Sequence, residues 1–217
     1  MYNPSHFQET RSEVLLELIK NHALASITRL TPEGLVADHI PLMHIADGSP
    51  FGKLIGHVAK KNPIWQSPSA TEHLIIFQAS DHYISPNWYA TKAQTAKVVP
   101  TWNYAVVHIT AHLKAIENSD GILAILENLT VKNEASQAHP WQVQDAPADY
   151  LATMMANIVG IEFEIKSMVG KFKVSQNQVP NNQKSVVTQL EYLAENNSPN
   201  NAQAMALMVK KFGNHNG

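Results

Sequence analysis

The chain has 217 residues, 44% of them hydrophobic and only 16% charged. It can therefore bury one sizeable core, with a surface that relies on neutral polar groups more than the usual quarter of charged residues would. Sixteen basic against eighteen acidic residues leave a net charge of −2, and Arg11 and Arg29 are the only arginines, which excludes a nucleic-acid binder held by bulk electrostatics.

The absence of cysteine removes disulfides, thiolate metal sites, iron–sulfur ligation and cysteine nucleophiles from consideration. No run approaches the roughly 18 apolar residues of a membrane span. Residues 1–20 carry Glu9 and Glu13 and no signal-peptide core, so a cytoplasmic protein without membrane contact is expected.

In chain order, Val14, Leu15, Leu18 and Ile19 predict an amphipathic helix within 5–20. Strands are expected at 23–29 and 35–45, joined through Thr31-Pro32-Glu33-Gly34, and again at 53–58 and 73–78. A short helical turn around Ile64 and Trp65 should follow Lys60-Lys61-Asn62-Pro63. The aromatic, aperiodic stretch 81–97 reads as an ordered loop over a site. From Val107 to Ala115 apolar and polar residues alternate strictly, the mark of a half-buried antiparallel strand that can be read as continuing the apolar run from Val98. Ser119-Asp120 is expected to cap a helix, 147–159 to form another ended by Gly160, and 161–165 and 168–175 to be two short strands. Beyond Gln176 asparagines accumulate, and 181–217 reads as a peripheral helical tail to a domain of residues 1–180, with a helix start at Ser198-Pro199. The order of elements implies an α+β domain built on a small barrel.

The familiar catalytic signatures, from the GxSxG elbow to HExxH and the phosphate and dinucleotide loops, are missing. His108 and His112 would share a strand face about 13 Å apart, too far for one ion. His39 and His44 would point to opposite faces, so solvated or structural histidines are expected rather than a metal site. Four segments stand out. Asp38-His39-Ile40-Pro41-Leu42 places a proline inside an apolar strand, where an edge, a bulge or a ligand is needed. Gly56-His57-Val58-Ala59-Lys60-Lys61-Asn62-Pro63 could hold a phosphate by charge and turn amides, although an exposed turn is the simpler reading. Tyr83-Ile84-Ser85-Pro86-Asn87-Trp88-Tyr89 and Lys97 to Tyr104 suit a flat heteroaromatic ligand, or else core and dimer anchors. Gly170-Lys171-Phe172-Lys173-Val174-Ser175-Gln176-Asn177 alternates, with its lysines on what would be a solvated face.

Together these segments, with Met1-Tyr2-Asn3-Pro4, Asp145-Ala146-Pro147-Ala148-Asp149-Tyr150 and Ile158-Val159-Gly160-Ile161-Glu162, resemble the PaiB-type FMN-binding negative transcriptional regulators over nearly the whole chain. The resemblance implies an FMN-binding split β-barrel, antiparallel and Greek-key-like, with flanking helices, in a homodimer whose flavin sites lie at the subunit interface. It implies that Lys60, with His57 and Asn62 nearby, meets the FMN phosphate and that His39, Pro41 and Leu42 lie along the isoalloxazine. Tyr83, Ser85, Thr101, Trp102 and Asn103 would close the pocket, with Lys171 and Gln176 reaching it only across the dimer. The regulatory label does not require direct DNA contact, and neither charge nor a helix-turn-helix motif supports it. The alternative is an FMN-dependent oxidoreductase or flavin reductase, with His57 or Tyr83 as proton donor; a more distant one is haem, with His39 as axial ligand.

Overall fold

In the computed structural model, which describes residues 1–68, 70–196 and 201–213, the alternating runs become eight strands. They are β1 (Gln8–Glu9), β2 (Leu24–Thr31), β3 (Gly34–Pro41), β4 (Met43–Ile45), β5 (Lys53–Ala59), β6 (Glu72–Ile84), β7 (Thr101–Ile116) and β8 (Ile158–Lys173). Six α-helices accompany them among the described residues: α1 (Ser12–Asn21), α2 (Lys92–Thr95), α3 (Ser119–Glu134), α4 (Ala148–Met155), α5 (Pro180–Glu195) and α6 (Asn201–Phe212). The hydrogen-bonded strand order is β3-β2-β6-β7-β8-β5-β4, with β1 added to β8. Two compact units result, one of 19–77 with 108–168, the other of 1–18 with 78–107 and the residues from Val169 onward.

In the unit of 19–77 and 108–168, β2 and β3 form a hairpin whose turn ends at Gly34, with φ at +121°, a conformation that L side chains avoid. Single-residue alternation then sorts the faces: Ala25, Ile27 and Arg29 are buried, while Leu24 and Leu30 are exposed. Leu42 alone separates β3 from β4, which stand at opposite ends of the strand order, so this one residue closes the sheet on itself. Closure demands close approach. A Cβ on Gly56 of β5 would lie 2.9 Å from the Pro41 carbonyl oxygen and 2.8 Å from the Leu42 side chain. The enclosed core includes Ile27, Leu54, Ile75, Phe77, Ile109 and Phe163, all fully buried. Against the outside, α3 lays Ile125 on Met43 and Ile55.

A buried charge is built into the same unit. Arg29, 6% exposed, donates to Asp38 Oδ2 at 2.5 Å, and Asn62 Nδ2 donates to Asp38 Oδ1 at 2.8 Å. Asn62 Oδ1 in turn accepts from the Ile64 amide at 2.9 Å and caps the 3₁₀ turn Pro63–Gln66. One chain of hydrogen bonds thus runs from β2 through β3 to the turn after β5.

The other unit packs helices on strand ends. Leu15 of α1 meets the backbone at Gly170, where any Cβ would fall 2.2 Å from its Cδ2. Phe172 and Phe212 stack edge to face at 5.0 Å, and Val186, Leu190, Met205 and Val209 are buried within α5 and α6. Gln183 Nε2 donates to the carbonyls of Ser175, Gln178 and Gly213. The helices after Gln176 are therefore packed elements rather than a peripheral tail; the helix start expected at Ser198-Pro199 lies outside the described residues.

Several expected boundaries move for local reasons. Gln8 and Glu9 pair with Lys171 and Gly170, which delays the first helix to Ser12. The loop expected over 81–97 is partly strand, since β6 runs to Ile84, followed by a 3₁₀ turn at Pro86–Trp88 and α2. Asn118, not Ser119, caps α3, its Oδ1 accepting from the Gly121 amide at 2.8 Å. Gly160 ends no helix: it sits inside the continuous β8, where a Cβ would press on Ile125 and Ile116. The strand expected across 35–45 breaks at Leu42.

Two stability predictions follow from these groups. Asp38→Ala leaves the Arg29 guanidinium buried without its counter-charge and should cost about 3 kcal/mol in chemical denaturation. His73, fully buried with its ring edge-on to Phe163, is held below the ordinary histidine pKa, chiefly by burial. The unfolded chain therefore takes up the proton first, so this stability is complete above about pH 6.5 and is lost as pH falls. His73→Leu should narrow the gap between melting temperatures at pH 7.5 and pH 5; an unchanged gap would assign the acid sensitivity elsewhere.

Candidate functional site

The thirteen residues singled out in the sequence fall into two groups, each inside one unit. His39, Pro41, Leu42, His57, Lys60 and Asn62 belong to the first; Tyr83, Ser85, Thr101, Trp102, Asn103, Lys171 and Gln176 to the second.

In the first group, Asn62 brings two distant segments together. Its bond to Asp38 holds the Lys60–Asn62 turn against the part of β3 that carries His39 and Pro41. The Lys60 amide donates to Asn157 O at 2.8 Å and its carbonyl accepts from Trp65 Nε1 at 3.0 Å, so the backbone is fixed. Its exposed ammonium has no hydrogen-bond or ion-pair partner among the described residues. It borders a cleft of about 310 Å³ lined also by Glu117, Ser119, Leu151, Met155 and Ile158. The turn amides that the sequence offered to a phosphate are otherwise engaged: those of Lys60, Asn62 and Ile64 donate to Asn157, Ala59 and the Asn62 side chain. Charge at Lys60 therefore remains, while these three amides are taken by the chain itself.

His39 lies on the outer face of the β2–β3 hairpin, Nδ1 3.0 Å from Ser26 Oγ across the strand pair. Pro41 sits on that face too. Around them Leu24, Leu30, Leu35 and Leu74 are 63%, 70%, 75% and 38% exposed. The register places Leu24 opposite Pro41, Leu30 opposite Leu35, and Thr28 opposite both Ala37 and Leu74, so the outer face carries exposed leucines and Pro41 around a polar centre of Ser26, Thr28 and His39. The Leu42 side chain is fully buried over Gly56, and its amide donates to Ala23 O, so its side chain and amide serve barrel closure. His57, on β5 opposite Gly160, has a buried Nδ1 with no hydrogen-bond partner, and burial lowers its pKa, favouring the neutral ring.

In the second group, Tyr83 and Trp102 are exposed and meet edge to face at 6.0 Å. Ser85 caps the 3₁₀ turn by accepting from the Asn87 amide. Thr101 and the Trp102 carbonyl receive the Lys173 ammonium. Asn103 is buried and donates to Ser175 Oγ at 2.9 Å. Gln176 is buried too, its side chain accepting from the Val174 amide and donating to the Phe172 carbonyl. Asn103 and Gln176 thus stabilise the turn after β8, where Ser175 takes φ +68°. Lys171, expected on a solvated face, is only 8% exposed. Lys173 was missed as a candidate; its spacing from Lys171 was legible, but nothing in the alternation indicated that both strand faces are covered.

These features fit a phosphorylated, planar ligand: an unpartnered cation at Lys60, an apolar sheet face with one imidazole–hydroxyl pair, and an orphaned buried nitrogen on His57. Comparisons agree in kind. Residues 1–167 match the family described as "Putative FMN-binding domain". A protein of Emericella nidulans, AN0679, is 32% identical, with 89% of this chain and 91% of that one covered. The Bacillus subtilis protease synthase and sporulation protein PAI 2 is 27% identical over 98% of both chains. Among solved structures, an FAD and haem binding protein from Mycobacterium smegmatis superposes with a TM-score of 0.57 at 16% identity, covering 77% of this chain and 73% of that one. The flavocytochrome Anf3 of Azotobacter vinelandii gives 0.57 at 10% identity, covering 76% and 69%. These likenesses establish the split-barrel fold. No helix among the described residues is long and apolar enough to cross a membrane. By fold, cofactor class and relatedness along its length, the chain belongs to the FMN-binding domain family and is of PaiB type.

Proposed function

We propose that two copies of this chain join through the outer face of β2, β3 and β6 and hold FMN there, the loaded dimer acting as a regulatory protein without robust turnover. The observation that carries this is the cluster of exposed leucines, Leu24, Leu30, Leu35 and Leu74, around His39 and Pro41 on one sheet face. A folded protein rarely leaves such a sheet face to water unless a partner covers it. The face bears His39 and Pro41, two of the residues that the PaiB resemblance assigns to flavin, and the Asn62–Asp38 bond holds Lys60 beside the same strand. His39, Ser26 and the β3 backbone would meet the flavin ring system, and Lys60 its phosphate. Bound FMN would supply one- and two-electron redox chemistry, which the chain needs only to orient and shield. The name of the Bacillus relative, which refers to protease synthesis and sporulation, supports a regulatory reading. With a net charge of −2 and two arginines, that role is assigned to the flavin-loaded dimer and not to a sequence-reading DNA surface.

One observation favours the second reading, an FMN-dependent oxidoreductase: the neutral, unpartnered His57 Nδ1 could exchange a proton with a bound ligand. NAD(P)H added in air to the flavin-loaded protein separates the two, rapid consumption supporting the enzyme and inertness the regulator.

Flavin fluorescence should be quenched on titration with the protein. Lys60→Ala should weaken FMN about tenfold or more, the worth of one charge-assisted hydrogen bond, and leave riboflavin unchanged. No quenching by the parent protein removes the flavin reading. Light scattering should report a dimer at micromolar concentration, and Leu35→Glu, which places a charge on the apolar face without touching the core, should give a folded monomer. A monomeric parent protein counts against the shared site.

A further inference from the structure

The unit formed by 1–18, 78–107 and the residues from Val169 onward contains an unneutralised pair of cations. Lys171 and Lys173 lie two residues apart on β8, so both side chains leave the same strand face. Lys171 Nζ donates to the Tyr2 carbonyl at 3.0 Å and lies 5.6 Å and 5.4 Å from the ring centroids of Tyr2 and Tyr104. Lys173 Nζ donates to the Trp102 carbonyl at 2.6 Å and to the Thr101 hydroxyl, and itself lies 6.0 Å from the centre of the Phe7 ring.

Every one of these partners is neutral. Among the described residues neither ammonium has a carboxylate within ion-pair distance. The strand paired here does carry one, Glu9, but Arg11 occupies it at 2.5 Å. Carbonyl oxygens and ring faces soften an ammonium's loss of water without cancelling its charge. Burial first, and then the neighbouring Lys171, lower the pKa of Lys173. A protein gains nothing in stability from two such groups side by side. They make sense when an anion joins them.

We propose that Lys171 and Lys173, with the Thr101 hydroxyl, form a receptor for a small oxyanion, a phosphate or carboxylate group. Two lysines and a hydroxyl offer several donors to an anion of this class. Trp102 and Tyr83, exposed and edge to face beside Thr101, offer an apolar wall to whatever carries the charge. The pair lies past residue 167, where the match to the FMN-binding family ends, and the inference does not rest on the flavin reading. The oxyanion has two possible sources, a free small anion or the phosphate of a flavin nucleotide.

The probes are inorganic phosphate, FMN and riboflavin, applied to the parent protein, Lys171→Met, Lys173→Met and Lys173→Arg. With a free anion as ligand, phosphate at constant ionic strength raises the parent's melting temperature saturably. Lys173→Met and Lys171→Met abolish the rise, Lys173→Arg keeps most of it, and FMN affinity is unchanged. With the flavin phosphate as ligand, Lys173→Met weakens FMN tenfold or more while riboflavin is unaffected. Should the methionine variants fail to fold, parent protein carrying ¹³C-labelled lysine keeps the question open to measurement: the Lys171 and Lys173 signals must move with phosphate or FMN. Lysine signals that ignore both ligands, or folded variants that respond to both as the parent does, overturn the proposal.

Discussion

The fold of residues 19–77 and 108–168 depends on one close approach. A sheet that closes on itself must bring its first and last strands together, and here the chain does so in a single residue, Leu42, between β3 and β4. The missing side chain at Gly56 makes room for the Pro41 carbonyl and for Leu42 itself. A barrel of this kind has few edges left to pair with other chains. Its inside is filled by the buried residues of every second position, so its outside inherits whatever those strands carry between them. On β2 and β3 that remainder sets Leu24, Leu30, Leu35 and Pro41 around Ser26, Thr28 and His39, and so many exposed leucines are unusual for a solvent face and give the outer surface its significance.

Charge is handled in two contrasting ways. Arg29 is buried and fully answered: Asp38 takes its guanidinium, Asn62 takes the other carboxylate oxygen, and a turn is capped at the end of the chain of bonds. A buried pair of this sort adds little net stability, yet it fixes geometry, since breaking it strands a charge. It is this network that holds the Lys60 turn beside β3. Among the described residues, the lysines at 60, 171 and 173 are left without carboxylates. An unanswered cation on an exposed turn is ordinary; two on one covered strand face are not, and they direct attention to an anion that the chain itself does not supply.

Relatives at 27% and 32% identity span most of this chain, while solved structures of like fold share 10% and 16%. At such distances the shared property is the barrel and its alternating core. That is why the structural likenesses speak to architecture, whereas the match over 1–167 speaks to flavin. Residues beyond 167 form the end of β8, α5 and α6, and they carry their own buried polar framework through Gln176, Asn182 and Gln183.

Strand alternation in β7, the helical spacing in α1 and α3, and the turn at Gly34 were legible in the residues because they depend on neighbours a few positions away. So was the family, from short uncommon strings such as Ala37-Asp38-His39-Ile40-Pro41-Leu42 and Gly170-Lys171-Phe172-Lys173. What sequence could not decide depends on residues far apart in the chain. Gly160 reads as a helix stop by its chemistry and becomes the middle of a strand because Ile116 and Ile125 close over it. Leu42 reads as part of an apolar strand, and only the fold shows that its side chain fills the space over Gly56 where the sheet closes. The asparagine-rich segment after Gln176 reads as a peripheral helical tail, and its helices bury Val186, Leu190 and Met205. Lys171 and Lys173 read as a polar strand face, and only Tyr2, Phe7, Thr101 and Tyr104, brought in from elsewhere, turn that face into a covered one. Local periodicity sets which side of an element each residue occupies; what lies on the other side of it is a property of tertiary contact alone.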